Sequence, residues 1–211
     1  NKMYINPKIL CEDSRCFKPI ISSPKSIDGY STVNAHLDRL FFPTEDTVSK
    51  EILNYLNFWK NKIIQEQKPK TLYLKINNND KWYEIREICG EGILFSYFVR
   101  NDMKFVMNET GVLVRDNFYV IEPKIDKWIM FALLNNYYTY YQLELHGKKY
   151  GAGLLKLQRY DIEGLCFPDY NLISDSDKNE MAALSHKLLE SANVYFIEEI
   201  TKLVSKYCSI S

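Results

Sequence analysis

The sequence predicts a mixed α+β fold: a twisted, mainly antiparallel sheet packed on a buried helix, with a long helix at the C-terminus. Three observations predict it. Apolar residues recur at spacings of three and four over 48–63 and 189–207, short β-branched and aromatic runs alternate with Asn- and Asp-rich turns over 71–121, and 13 of the 18 residues from Trp128 to Leu145 are apolar or aromatic. With 211 residues, 46% apolar, 14% aromatic and only 8 Gly and 7 Pro, the chain has material for a substantial core. Disorder, collagen and small disulfide scaffolds are excluded.

After an irregular opening with Pro7, Pro19 and Pro24, residues 37–42 read as a strand closed by Pro43. A helix then starts near Thr44, whose hydroxyl can cap an N-terminus carrying Glu45 and Asp46. Val48, Ile52, Leu56, Trp59 and Ile63 form its buried face, and Pro69 ends it. Thr71–Ile76, Ile93–Val99, Lys104–Met107 and Val112–Ile121 read as strands, with turns at Asn77–Asp80, Asn101–Asp102 and Asn108–Gly111. Asn77, Asn78 and Asn79 are read as a turn.

Trp128–Leu145 reads as one core helix, buried nearly all round. Its tyrosines Tyr137, Tyr138, Tyr140 and Tyr141 point in several directions, so they are assigned to packing. Gly147–Gly153 reads as a glycine-interrupted loop, Leu154–Leu157 as a short strand and Tyr160–Gly164 as a turn. Asp177 with Glu180 gives a capping-box pattern that opens a helix to about Tyr207. About 30 residues at roughly 1.5 Å each make it on the order of 45 Å long. The expected division is a main domain over 1–170 and an acidic helix over 171–211, packed on that domain or on another.

The 27 basic and 27 acidic residues give zero net charge, which at face value argues against a nucleic-acid partner. The charges are unevenly distributed. Residues 1–80 carry 12 basic and 9 acidic side chains, 81–160 carry 11 and 9, and 161–211 carry 4 and 9, so the first 160 residues stand at +5 and the last 51 at −5. Between Glu144 and Asp161 there is no acid, while Lys148, Lys149, Lys156 and Arg159 fall inside. Screening limits electrostatic reach to about 8–10 Å, so a local block of one sign matters more to a ligand than the sum. The plain alternative is a solvated loop.

Cys11, Cys16, Cys89, Cys166 and Cys208 form no C-x-x-C pair, and His36, His146 and His186 lie far apart in sequence, so no zinc spacing is present. The scattered thiols and the absence of a signal peptide read as a reduced, cytoplasmic protein, and Asn135, Asn136, Thr139, Gln142 and Glu144 make 128–145 too polar for a membrane span. No phosphate loop, G-x-G-x-x-G or G-x-S-x-G occurs. Asp102 with Glu122 and Lys124 could hold a magnesium ion in a nuclease, although Pro123 sits inside that pattern. A strand end with exposed charges explains it equally.

From Ile93 onward the order of features is distinctive. ILFSYFVR ends at Arg100 and KFVMN at Asn108; DNFYVIEP, a helix beginning FALLNNYY, the loop GKKYGAGLLKL and the terminator DIEGLCFPD follow. This series resembles the C-terminal target-recognition region of gamma-class N6-adenine-specific DNA methyltransferases of restriction-modification systems. The Gly-loop, strand and proline exit are also similar to those of type I specificity subunits. The resemblance is best over Ile93–Asp169, with a weaker echo at Leu40–Pro43; Asn136 stands where Ser is usual and Ala152 replaces a middle glycine.

The resemblance implies a domain that grips double-stranded DNA while a catalytic domain in cis, or a subunit in trans, flips and methylates adenine. The Asn/Asp-Pro-Pro-aromatic sequence and the Gly-rich S-adenosylmethionine loop of that catalytic part are absent from the 211 residues, so the chain is expected to hold no cofactor of its own and to be part of a longer enzyme or a separate specificity subunit. Expected DNA contacts are Lys148, Lys149 and Lys156 beside Gly151 and Gly153, with Tyr150 at the groove and Arg100 and Lys104 flanking the preceding turn. A protein-interaction module is the remaining alternative.

Overall fold

The computed structural model describes residues 14–85, 91–100 and 102–208. Cys11, Cys89, Asn101 and the proline-containing opening before residue 14 lie outside them. The described residues form two compact units, one drawn from Asn1–Pro19 and Arg39–Glu87, the other from Ile20–Asp38 and Ile88–Ser211. The chain passes between them three times, within strand β1 (Phe17–Ile21), at the head of β2 (Asp38–Phe41) and between residues 85 and 91.

In the first unit, Phe17 packs on Phe41 with ring centroids 5.4 Å apart, and the Phe42 N–H donates to the Cys16 carbonyl at 2.7 Å. The helix expected from Thr44 begins six residues later, as α1 (Lys50–Glu66). Thr44 and Thr47 instead close a turn on each other, and the Ser49 hydroxyl accepts from the Ile52 N–H. Ser49 is therefore the cap that sets the start.

Pro69 does not simply end α1; it opens a second helix, α2 (Lys70–Asn78), over residues expected to be a strand. The expectation failed because TLYLKI fits both periods. Leu72, Tyr73 and Ile76 share one helical face, and burying that face with Ile52, Leu56, Ile63 and Trp82 decides the outcome. Asn77 and Asn78 are its last turn, and Asn79 caps the turn that follows by accepting from the Lys81 N–H.

The second unit holds an antiparallel sheet in the order β5 (Phe105–Asn108), β3 (Gly92–Ser96), β7 (Phe118–Ile121), with Leu94 opposite Val106 and Val120. Alternation along β3 feeds two cores. Ile93 and Phe95 face a large helical cluster, whereas Leu94 faces Ile21, Ile27, Val112 and Val114. The expected single sheet is in fact several small ones. Ile93–Val99 divides into β3 and β4 (Phe98–Val99), which lie in different sheets, and Val112–Ile121 divides into β6 (Leu113–Val114) and β7 around an Arg115–Asn117 turn. Residues Ile20 and Ile21 of β1 pair with β6 in parallel, an exception to the antiparallel pattern.

The core helix of 128–145 is two helices, α3 (Lys127–Leu134) and α4 (Tyr137–His146). Asn135 and Asn136 break it. The Asn135 side chain leaves the helix to bond both the N–H and the carbonyl of Phe105, at 3.0 and 3.1 Å, and Asn136 caps α4 through the Thr139 N–H. Burial is unbroken from Phe131 to Asn136 and one-sided beyond: Thr139 and Leu143 are buried and Tyr138 and Tyr140 pack on the core, while Tyr137 and Tyr141 are exposed.

The residues expected to form a turn at 160–164 instead make a short helix, α5 (Arg159–Glu163), held by a capping box between Gln158 and Asp161. The long C-terminal helix is likewise divided, into α6 (Asp175–Ser191) and α7 (Tyr195–Ser205). Ala192 takes a left-handed conformation, φ 52°, and Asn193 starts the next turn by accepting from the Tyr195 N–H. The chain can then fold back, so that Met181, Leu184 and Leu188 of α6 and Ile197, Ile200 and Leu203 of α7 join one core with Phe131 and Leu134 of α3. Ser174, not Asp177, caps α6.

Candidate nucleic-acid interface

The stretch expected to be a loop at 147–153 is a β-hairpin. Strand β8 (Lys148–Tyr150) turns through Gly151, Ala152 and Gly153 into β9 (Leu154–Lys156), and β9 pairs on its other side with β4. Ala152 and Gly153 carry positive φ, 59° and 68°; Gly151 does not. A Cβ added at Gly151 or Gly153 meets nothing within 4 Å, so the turn stands clear of the body and its backbone can be closely approached.

Register then sorts the candidates. Lys148 lies opposite Lys156, which lies opposite Phe98, so these three side chains stand in a row across the sheet on one face. Tyr150 and its partner Leu154 are on the same face. The Lys148 ammonium is 5.3 Å from the Tyr150 ring centroid and that of Lys156 is 5.8 Å from Phe98, within cation–π reach. Tyr150 is 44% and Phe98 42% exposed. Lys149 belongs to the opposite face with Leu155 and Val99, and its ammonium pairs with Glu144 at 3.5 Å. Arg159, inside the same acid-free run, pairs with Glu163 at 2.7 Å. The block of basic residues read as one unit is thus divided, with Lys148 and Lys156 together and the other two balanced by acids.

Phe98 and Leu154 also border a groove of about 730 Å³ that contains Arg100, Lys104, Lys25, Asp102 and Asn117. Arg100 is exposed there. Lys104 is half-buried and donates to the Ile27 carbonyl at 3.0 Å; burial pulls its pKa below the ordinary value, against the opposing pull of Asp102 and Asp28. It is a wall of the groove held in place. The buried Asn117 Oδ1 has no partner among the described residues, while its Nδ2 donates to the Ser22 carbonyl. Sequence reading passed over Phe98 and Leu154. The signal was an aromatic or apolar side chain at the outward phase of a strand whose alternate residues, Val99 and Leu155, are buried.

Asp102 and Glu122 line different grooves, Glu122 with Glu91, Glu109 and Lys127, so the nuclease arrangement is not assembled. Among the described residues no group of three metal-binding side chains occurs, and no helix is long and apolar enough to cross a membrane. The Gly151–Gly153 turn joins two strands, whereas a cofactor loop runs from a strand into a helix N-terminus.

Among curated proteins none matches the chain. A solved structure titled as the type IIG restriction endonuclease BpuSI is similar in fold, with a TM-score of 0.56 and 15% identity, over 95% of this chain and 27% of that one. The chain therefore spans about a quarter of that enzyme's length. The family model described as "Type II methyltransferase M.Eco57I, C-terminal domain" matches residues 12–208, almost the whole sequence. The chain belongs to the M.Eco57I-type C-terminal domain family of type II methyltransferases.

Proposed function

We propose that this domain binds double-stranded DNA and recognises a short sequence for an N6-adenine-specific DNA methyltransferase of a prokaryotic restriction-modification system, working in the cytoplasm. Its partner is the catalytic methyltransferase domain, in cis or in trans, which binds S-adenosylmethionine and flips the adenine. The observation that carries the reading is the lysine–aromatic face of β4, β9 and β8, on a domain of this family.

The chemistry follows from that face. Lys148 and Lys156 supply two point charges for neighbouring phosphates, and the open Gly151–Gly153 turn offers backbone N–H groups to a third. Tyr150 and Phe98 present flat apolar edges beside those charges, suited to the sugar–base rim of a groove. Arg100 extends the contact along the adjoining groove, and Lys104 fixes that groove's wall. Lys149 contributes less, because a phosphate there must displace Glu144.

Two measurements test the reading. Tyr150→Ala and Phe98→Ala in the chain should each weaken binding to a labelled duplex several-fold in fluorescence anisotropy; unchanged affinity in both removes the face. Nucleoside analysis of DNA from cells expressing the domain with its catalytic partner should yield N6-methyldeoxyadenosine. Methylcytosine instead overturns the adenine assignment.

A further inference from the structure

Helix α1 has two faces of different composition. One buries Ile52, Leu56 and Ile63. On the other, Asn54, Asn57, Asn61 and Gln65 follow at spacings of 3, 4 and 4, and all four are exposed. At about 100° per residue they fall within about 80° of arc, diametrically across from Ile63. Phe58 stands in the same stripe, 61% exposed, with its ring edge-on to Trp59 at 5.6 Å. From Ile52 to Gln65 there is no acidic residue, while Lys60 and Lys62 lie within.

A merely solvated helix face does not require this composition. Lys, Glu and Arg are better helix formers, and Asn weakens a helix because its carboxamide competes for backbone partners. Three mid-helix Asn and an exposed Phe all act against stability. Among the described residues none of the four carboxamides is hydrogen-bonded, so none offsets that cost there. A carboxamide offers one donor and one acceptor side by side, which matches N7 and N6 of adenine in the major groove; an exposed apolar ring matches the thymine methyl. The stripe from Asn54 to Gln65 is about 16 Å long, the rise of about five base pairs. Lys62 sits at its edge, its ammonium 4.0 Å from Glu66 and 5.0 Å from the Trp59 ring centroid.

The geometry points to α1 as a helix that reads A·T base pairs in the major groove of double-stranded DNA, through Asn54, Asn57, Asn61 and Gln65 with Phe58 against thymine. It rests on the DNA-binding reading and adds the element and the class of base pair. The test is selection of bound duplexes from a random pool by the full 211-residue chain, followed by sequencing. The wild type should enrich a motif containing A·T pairs. Asn57→Ala and Asn61→Ala should each lower the preference at one or two of those positions by on the order of tenfold to a hundredfold. Binding to non-specific duplex and its salt dependence should hold. Alanine raises helix propensity, so the variants keep the helix, which circular dichroism checks. Replacing the motif adenines by 7-deazaadenine, which removes N7, should reproduce the loss in the wild type and add little in the variants. A selected motif without A·T preference, or one that both variants leave unchanged, removes the helix assignment while DNA binding stands. Failure to bind any duplex removes both.

Discussion

The difference between Lys148 and Lys149 is one residue, and it places their side chains on opposite faces of a sheet. Each lysine that meets a phosphate releases a counterion, so Lys148→Ala and Lys156→Ala should each reduce the slope of log K against log salt by about 0.9. Lys149→Ala should reduce it by clearly less, because Glu144 already balances that charge. None of this was legible in the run of lysines alone, since charge spacing carries no register until the hairpin partner is known. Asn135 shows the same limit. Its side chain bonds the Phe105 N–H and carbonyl and accepts from the Tyr140 hydroxyl at 2.8 Å, all at a fully buried position. Asn135→Ala leaves those groups unsatisfied and should cost about 3 kcal/mol or more, read as a lower urea midpoint at constant m. An Asn inside an apolar run signalled a break in principle, yet only the position of Phe105 shows what the break supports.

Among the elements, helix existence was more legible than helix extent. Spacings of three and four located α1 and the terminal helical stretch correctly, but Ser49, Asn136 and Ser174 set the starts through hydrogen bonds that compete with equally plausible caps nearby. The 71–76 segment shows tertiary burial overriding a local strand reading, because a helix there completes the apolar contact that α1 opens. Gly92 illustrates a constraint that composition hides. Its φ of 122° and the 2.4 Å approach of a would-be Cβ to the Ile121 carbonyl mean that Gly92→Ala must displace β7, with an expected loss on the order of 2 kcal/mol or more. Thermal unfolding reads it.

The fold-back of α7 on α6 is fastened by Asp177, whose carboxylate accepts from the Tyr207 hydroxyl at 2.5 Å and the Lys206 ammonium at 2.9 Å. Those bonds, the tyrosine's foremost, hold its pKa below the ordinary 3.8. A depressed acid stabilises the fold above its unfolded pKa and loses that contribution as pH falls through the folded value. Melting temperature should therefore decline on acidification below 3.8, and Asp177→Asn should flatten that decline.

For the molecule as a whole, zero net charge conceals a division that bears on function. The −5 of the last 51 residues rides on helices committed to the core, which leaves the lysine–aromatic face to the +5 body. The mixed α+β class was readable from apolar spacing and short β-branched runs, and the family from the order of short motifs along 93–169. The division into two compact units was not, because no linker composition marks it and two of the three crossings fall inside strands. The central claim is that this domain holds DNA through the face of β8 and β9. A titration of labelled duplex with the chain at several salt concentrations, wild type against the Lys148→Ala/Lys156→Ala double variant, tests it most directly. Salt-dependent binding whose slope falls by about 2 in the variant is expected; equal slopes, or no salt-dependent binding by the wild type, would contradict it.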